Sequence, residues 1–308
     1  MFLQIEPPAL GNWIGQFLNW IYSGVGNIGW AIVLFTLIVR IIASPLDLWG
    51  KSKMRKQSDA MRRLQPQLDK LKKQYEDQPN VFRQEQYKLM QKEKVSMFGS
   101  CLPMIVNLGL FWLVLGGFRA FMAYQNEILI YNLAERYLLG HEITYADYQL
   151  HSFLWIQNVF MADTPWSSIV PSLATFSGSG MFGLGATMPQ NAESIYMSYQ
   201  TLVGPAREHF TGANGFLVLP ILTVFTSFAS SKLMQNQSPM MAADDKQKTQ
   251  QRIMMFMMPL LMAVMSLFFS AAFALYMLIS NIIMSIVGLA FNIIVNSKNK
   301  PKGELTEG

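Results

Sequence analysis

The sequence predicts an all-α integral membrane protein with five spans, and three observations predict it. Of 308 residues, 51% are hydrophobic and only 14% are charged, against roughly a quarter charged in an ordinary soluble domain. The charges vanish in blocks: none occurs between Lys94 and Arg119, between Glu208 and Lys232, or between Arg252 and Lys298. The basic residues cluster beside these blocks, on alternate sides of them. This composition excludes a disordered chain and a small disulfide-stapled domain, and it argues against a water-soluble enzyme.

Each element follows from length and charge. About 20 apolar residues cross the roughly 30 Å of hydrocarbon in a bilayer. The 45 uncharged residues after Arg252 would reach about 68 Å as one helix at about 1.5 Å per residue. They read as two spans joined by a turn near residues 269–272. The expected spans are 28–49, 98–118, 215–233, 253–270 and 273–295. Residues 51–98 carry 13 Lys and Arg against 6 Asp and Glu, and residues 119–215 carry 3 against 7. Positive charge stays cytoplasmic. The segment 50–97, the loop 234–252 and the basic tail 296–308 are therefore expected inside. The N-terminal 1–27 and the loop 119–214 are expected outside. The net charge of +5 averages two unlike faces.

Leu10, Trp13, Ile14, Phe17, Leu18 and Ile21 follow the spacing of one helix face. A short tryptophan-bearing helix of this kind is expected at the outer membrane interface; packing against the rest of the protein is the alternative. Residues 50–97 read as a helical hairpin. Met61, Leu64, Leu68, Leu71 and Tyr75 alternate spacings of three and four, the stripe of a coiled-coil seam. Asp77-Gln78-Pro79-Asn80 supplies the turn. Phe82 and Leu89, with Tyr87 and Met90 as further candidates, form the returning face, and Pro66 is expected to kink or break the first arm. Lys51, Lys53, Arg55, Lys56, Arg62 and Arg63 make its base strongly basic. Such a cluster suits anionic lipid or a recruited partner. The loop 119–214 is expected to form short interfacial helices rather than an independent domain.

The residue with the sharpest chemical meaning is Arg40, near the middle of the first span. A charge at that depth costs about 2.5–3.5 kcal/mol on insertion scales. Residues 98–118, 215–231 and 253–295 hold no Asp or Glu. Hydration of a polar groove then keeps Arg40 charged, with snorkelling to the inner headgroups as the alternative. Thr36, one turn earlier, Asn107, Tyr276 and Asn281 can line such a groove; each can also serve as an interhelical hydrogen bond. Catalytic sets are not supplied. His141, His151 and His209 lack HExxH spacing, no GxxxxGK[ST] is present, and Cys101 is the single cysteine. Neither an enzymatic step, a cofactor nor a metal is expected, and no secretory or lipoprotein signal is legible. Met254, Met255, Met257, Met258, Met262 and Met265 crowd the fourth span. They suit a surface that accepts varied partners, or ordinary core and lipid-facing filling.

Thr36-Leu37-Ile38-Val39-Arg40 followed by Ser44-Pro45-Leu46 resembles the arginine-bearing first core helix of the YidC family of membrane protein insertases. Leu64-Gln65-Pro66, Tyr87-Lys88 and Lys92-Glu93-Lys94-Val95 resemble its cytoplasmic hairpin, and Gly99-Ser100-Cys101-Leu102-Pro103 the start of its second core helix. Trp155-Ile156-Gln157-Asn158, Phe160-Met161-Ala162-Asp163, Leu219-Pro220-Ile221-Leu222, Met257-Met258-Pro259, Leu275-Tyr276 and Ser280-Asn281 continue the likeness in family order. It implies five helices around a hydrophilic groove open to cytoplasm and lipid, with Arg40 as the groove arginine. It implies Thr36, Asn107 and Tyr276 as groove positions and the hairpin as a recruiting element. The implied clients are nascent membrane proteins with one or two spans. The ribosome, a targeting receptor and the Sec translocon are implied as helpers, and DNA is not. The short family form, without a large periplasmic domain, is expected. Ser270-Ala271-Ala272 and Met277 depart from the family pattern. The rivals are a transporter, channel or lipid scramblase using the same groove, and a membrane-anchored assembly factor whose hairpin binds ribosomal RNA or a receptor.

Overall fold

The structure is a computed structural model that describes residues 8–92, 102–178, 183–188, 198–237 and 264–299, with 253, 257, 260 and 261. Seven residues of the expected fourth span, among them four of its six methionines, the loop 238–252 and the end of the tail lie outside the described residues. So do Glu93 to Cys101. Among the described residues the fold is all-helical, with one isolated antiparallel bridge between Phe153 and Ile156. In order come α1 (Trp13–Val25), α2 (Ile28–Gln74), α3 (Pro79–Lys92), α4 (Leu102–Leu138) and a 3-10 turn (Tyr145–Asp147). Then follow α5 (Leu173–Ser177), α6 (Tyr199–His209), α7 (Val218–Gln237) and α8 (Ala271–Asn299). Among the described residues, three helices are long and apolar enough to cross a membrane, within Ile28–Gln74, Leu108–Leu138 and Ala271–Ile294, and Val218–Lys232 is a shorter apolar helix. This is a multi-pass membrane protein.

The chain forms two compact units, and α2, α4, α7 and α8 each contribute to both. The first comprises Met1–Ile38, Leu110–Val224 and Met262–Ile279. In it α1 starts at Asn12, whose side chain accepts from the N–H groups of Ile14 and Gly15. It stops at Gly26, which at φ 74 takes the left-handed conformation glycine adopts without strain. Ile14, Leu18 and Ile21 are buried, whereas Trp13 and Trp20 are exposed. One face of α1 thus packs on protein, and its tryptophans stand off the other. The packing is close because α4 presents a glycine. A Cβ on Gly117 would sit 2.2 Å from Ile14 Cγ2.

Two stretches run longer than expected. The helix of the second span does not end near 118 but continues to Leu138 as α4. Its C-terminal half anchors a core of Leu129, Ile130, Leu133, Phe176, Tyr199, Leu202 and Val203, among others. Residues 119–214 therefore own a packed interior. Burial pushes the phenols of Tyr148 and Tyr199 up from the ordinary tyrosine value. Arg136 pairs with Asp147 at 3.0 Å, and hydrogen bonds from Thr144 hold that carboxyl below its usual range.

In the second unit, Val39–Gly109, Phe225–Leu261 and Ser280–Gly308, α2 runs unbroken through Pro45 and Pro66 to Gln74. The expected break at Pro66 does not occur. At Pro45 a substitute donor is visible: the ring has no N–H for the Ile41 carbonyl, and Ser44 Oγ donates to that oxygen at 2.8 Å. Beyond Pro66 the packing holds the arm, since Leu64 and Leu68 are buried with Phe82 and Met90. Pro79 opens α3, where its missing N–H costs nothing. Tyr87 is exposed, and Gln86 and Met90 point inward instead.

Candidate functional site

Arg40 stands on α2 where the lipid-compatible face is easily recognised. Leu34, Leu37, Ile41 and Ile42 are exposed, and Ile32, Phe35 and Thr36 are buried. Arg40 is half-buried and, four residues after Thr36, shares the side of the helix that faces protein. Asp47, two turns further along the same helix, lies within electrostatic range of the guanidinium and of Lys51.

The other expected groove residues divide between the units. Thr36 and Tyr276 belong to the first, and Arg40, Asn107 and Asn281 to the second. Thr36 is fully buried, and its hydroxyl donates to the Ile32 carbonyl of its own helix at 2.6 Å. Tyr276, 2% exposed, joins an aromatic network. Its ring lies 5.7 Å from Phe118, and Phe118 lies 5.5 Å from Phe35 and 6.4 Å from Phe273. Each aromatic buries about 150–250 Å², so this network is a tightly packed aromatic plug of the first unit's interior. Thr36 sits at its edge beside Phe35. Asn107 lies on α4, and its side chain is outside the described residues.

Asn281 is half-buried, and its amide donates to Ser227 Oγ of α7 at 2.8 Å. The Ser285 hydroxyl donates to the Asn281 carbonyl at 2.7 Å and accepts from the Ser230 hydroxyl. A polar ladder thus runs between α7 and α8 in the second unit. Lys51 Nζ donates to the Met284 carbonyl at 3.2 Å, and Lys53 lies over the Trp49 ring. Lys51 and Arg55 are half-buried, and Lys56, Arg62 and Arg63 are exposed.

The segment around residues 158–163 carries residues whose role sequence reasoning missed. Asp163, 1% exposed, accepts from the N–H groups of Phe216 at 2.9 Å and Leu219 at 2.6 Å, and from Trp155 Nε1 at 3.3 Å. It caps α7 from 55 residues before the helix begins. The Asn214 side-chain amide accepts from the Asn158 N–H at 2.8 Å and donates to the Asn158 carbonyl at 3.0 Å. The N–H groups of Ala271 and Ala272 donate to the carbonyls of Met161 and Val159, both at about 2.8 Å. One short loop thereby sets where α7 and α8 begin. The available signal was the Phe160-Met161-Ala162-Asp163 motif, whose partners are too distant in sequence to read.

The family model for the 60Kd inner membrane protein matches residues 20–300. The chain belongs to that family. Its relatives include a protein of Caldanaerobacter subterraneus named membrane protein insertase YidC, 31% identical over 191 residues, which are 62% of this chain and 78% of that one. The protein of the same name from Oceanobacillus iheyensis is 25% identical over 300 residues, 94% of this chain and 86% of that one. A third, from Endomicrobium trichonymphae, is 35% identical over 118 residues, 38% of this chain and 22% of that one. The match to the 60Kd family runs from within α1 to the end of α8 and includes Arg40, the hairpin and the Asp163 loop.

Proposed function

We propose that this protein is a membrane protein insertase of a bacterial cell membrane, with five spans, N-terminus outside and C-terminus inside. The observation that carries the reading is Arg40, a permanent charge on the protein-facing side of an otherwise apolar span, in a chain whose relatives bear the insertase name. A nascent protein with one or two spans brings its short polar tail from the cytoplasm to the hydrated surroundings of Arg40. There the tail crosses a shortened hydrocarbon path. The client's apolar segment leaves sideways into lipid, driven by roughly 25 cal/mol per Å² of buried apolar area. The membrane potential adds about 2.3 kcal/mol per charge per 100 mV and favours outward movement of acidic tails. No covalent step, nucleotide or cofactor enters this scheme.

Three features of the structure support the division of labour. The polar ladder of Ser227, Ser230, Asn281 and Ser285 supplies hydrogen-bonding groups among the spans of the second unit. The Phe35–Phe118–Phe273–Tyr276 plug supplies a packed apolar interior in the first. The basic hairpin, with Lys56, Arg62 and Arg63 exposed, suits recruitment of ribosome, targeting receptor, Sec translocon or anionic lipid. Reconstituted vesicles test the scheme. Arg40→Ala lowers insertion of a client with an acidic outer tail at least several-fold, and Arg40→Lys retains most of it. Wild-type insertion by both variants, for every one- and two-span client tried, removes the arginine from the mechanism.

A further inference from the structure

One loop of the first unit lies where three apolar helices start. The Asn27 side-chain amide, just before α2, donates to the Ser152 carbonyl at 3.4 Å, and the Phe153 ring fills the space a Cβ on Gly29 would take. Asp163 caps α7, and the carbonyls of Val159 and Met161 accept from the first N–H groups of α8. The same loop holds a strained leucine. Phe153 and Ile156 exchange both backbone hydrogen bonds, at 3.0 and 2.9 Å, so Leu154 and Trp155 form a two-residue turn. Such turns demand a positive φ at their first central residue, where glycine is usual. Leu154 takes φ 52 there, in the left-handed region that crowds any Cβ. Among the described residues, the one other non-glycine residue with positive φ is Leu217, beside Phe216. Leu154 is 69% exposed, so contacts inside the protein do not offset its strain. Its neighbours are exposed as well. Trp30 meets Phe153 edge-on at 5.5 Å, and the Trp155 indole and the Phe216 N–H both donate to Asp163. Trp166 stands in the Thr164–Ser167 turn, whose Ser167 carbonyl accepts from the Asn214 N–H. The side chains of Trp30, Trp166 and Phe216 are each more than half exposed.

We propose that Trp30, Leu154, Trp166 and Phe216 form a rim seated in the interfacial layer of the bilayer, with lipid as the occupant of this face. The rim continues an apolar stripe of α2, where Trp30, Leu34 and Leu37 stand at i, i+4 and i+7 and are all exposed. That stripe belongs to a helix long and apolar enough to cross a membrane. Residues 152–162, 164–192 and 210–231 carry no charge, so charge does not select the partner of this face. Tryptophan suits the layer because its ring is apolar and its N–H polar. Removal of the Leu154 side chain from water offsets the strain of its turn. The rim thereby holds the starts of α7 and α8 level with the membrane surface. The contact rests on the multi-pass fold. Only the choice of leaflet rests on the orientation proposed above, which makes it the outer one.

Spin-label depth in vesicles tests the contact. In a Cys101→Ser background, full-length Leu154→Cys, Trp166→Cys and Leu139→Cys each carry one nitroxide in phosphatidylcholine vesicles. Leu139 is the reference, exposed just past the end of α4 among Glu135, Arg136 and Glu142. The ratio of collision rates with oxygen and with a water-soluble nickel chelate rises with depth. It should be several-fold higher for Leu154→Cys and Trp166→Cys than for Leu139→Cys, and unchanged when phosphatidylglycerol is mixed in. Two rim positions are read so that a folding defect in one variant leaves the other to decide. Ratios equal to the reference overturn the proposal. So does shielding that appears only with an added client or at a high protein-to-lipid ratio, which makes the face a protein-docking surface, and so does a rise that requires phosphatidylglycerol. An impermeant maleimide on Leu139→Cys in whole cells decides the orientation separately. Labelling from the cytoplasmic side alone refutes the outer leaflet, and the depth ratio still decides the contact.

Discussion

Asp163 offers the most demanding test of how this fold is held. Its two carboxylate oxygens are divided, Oδ1 taking the Phe216 N–H and Oδ2 the Leu219 N–H and the Trp155 indole. The site is sealed from water, so removing the carboxylate leaves buried donors with nothing to bond. A hydrogen bond to a charged group is worth about 1.5–3 kcal/mol. Counting the two backbone bonds and neglecting the longer indole contact, Asp163→Ala costs about 3–6 kcal/mol. Asp163→Asn keeps one acceptor oxygen and turns an amide N–H toward the other donor, and costs about half as much. Equilibrium unfolding of purified protein in detergent measures both. An Ala variant within about 1 kcal/mol of the parent, or Asn no better than Ala, would refute the capping argument. Gly215→Ala is an independent check, because its Cβ would fall 1.8 Å from Asp163 Oδ1 and push the carboxylate off its cap.

The remaining predictions concern other parts of the molecule. His151 packs against Phe160 at 4.7 Å and Tyr22 at 6.4 Å, and burial lowers its pKa to about 4. Unfolded, it binds its proton at about 6.5, so its contribution is complete above that pH and is lost as pH falls toward 4. The loss reaches about 3 kcal/mol. Thermal midpoints across pH 4–7 should fall less steeply for His151→Gln than for the parent. At Pro45, Ser44→Ala should cost about 1 kcal/mol and almost nothing in a Pro45→Ala background, where the restored N–H serves Ile41. A double-mutant cycle with equal costs in both backgrounds would disprove the substitute-donor role. Gly117→Ala should force α1 away from α4 and expose Asn12 to Val25 to protease. Unchanged cleavage would show that the two helices do not need the glycine.

The spans were legible because membrane crossing is a composition problem. A stretch of about 20 apolar residues without a charge is what a bilayer core demands and what a water-facing fold seldom contains, and α2, α4, α7 and α8 overlap four of the expected segments. Their ends were less legible. Local propensity places a break at Pro66, but Leu64 and Leu68 are locked against Phe82 and Met90, and tertiary burial outweighs the proline. The continuation of α4 past Arg119 was hidden because charges reappear there, although the helix simply changes from an apolar stretch to the wall of a packed core. Arg40 was legible as a charge without a carboxylate in the other spans. That Thr36 and Tyr276 sit in an aromatic plug was not, because burial depends on what Phe118 and Phe273 bring from far along the chain. Asn158 and Asp163 were invisible as anchors for the same reason.

The attachment of α8 to the 158–163 loop sets an order in time. The carbonyls of Val159 and Met161 leave the ribosome more than a hundred residues before the amides of Ala271 and Ala272 that bond them. A nascent chain halted ahead of Ala271 holds the acceptors without their donors, so the docking of α8 is necessarily a late event in the protein's own synthesis.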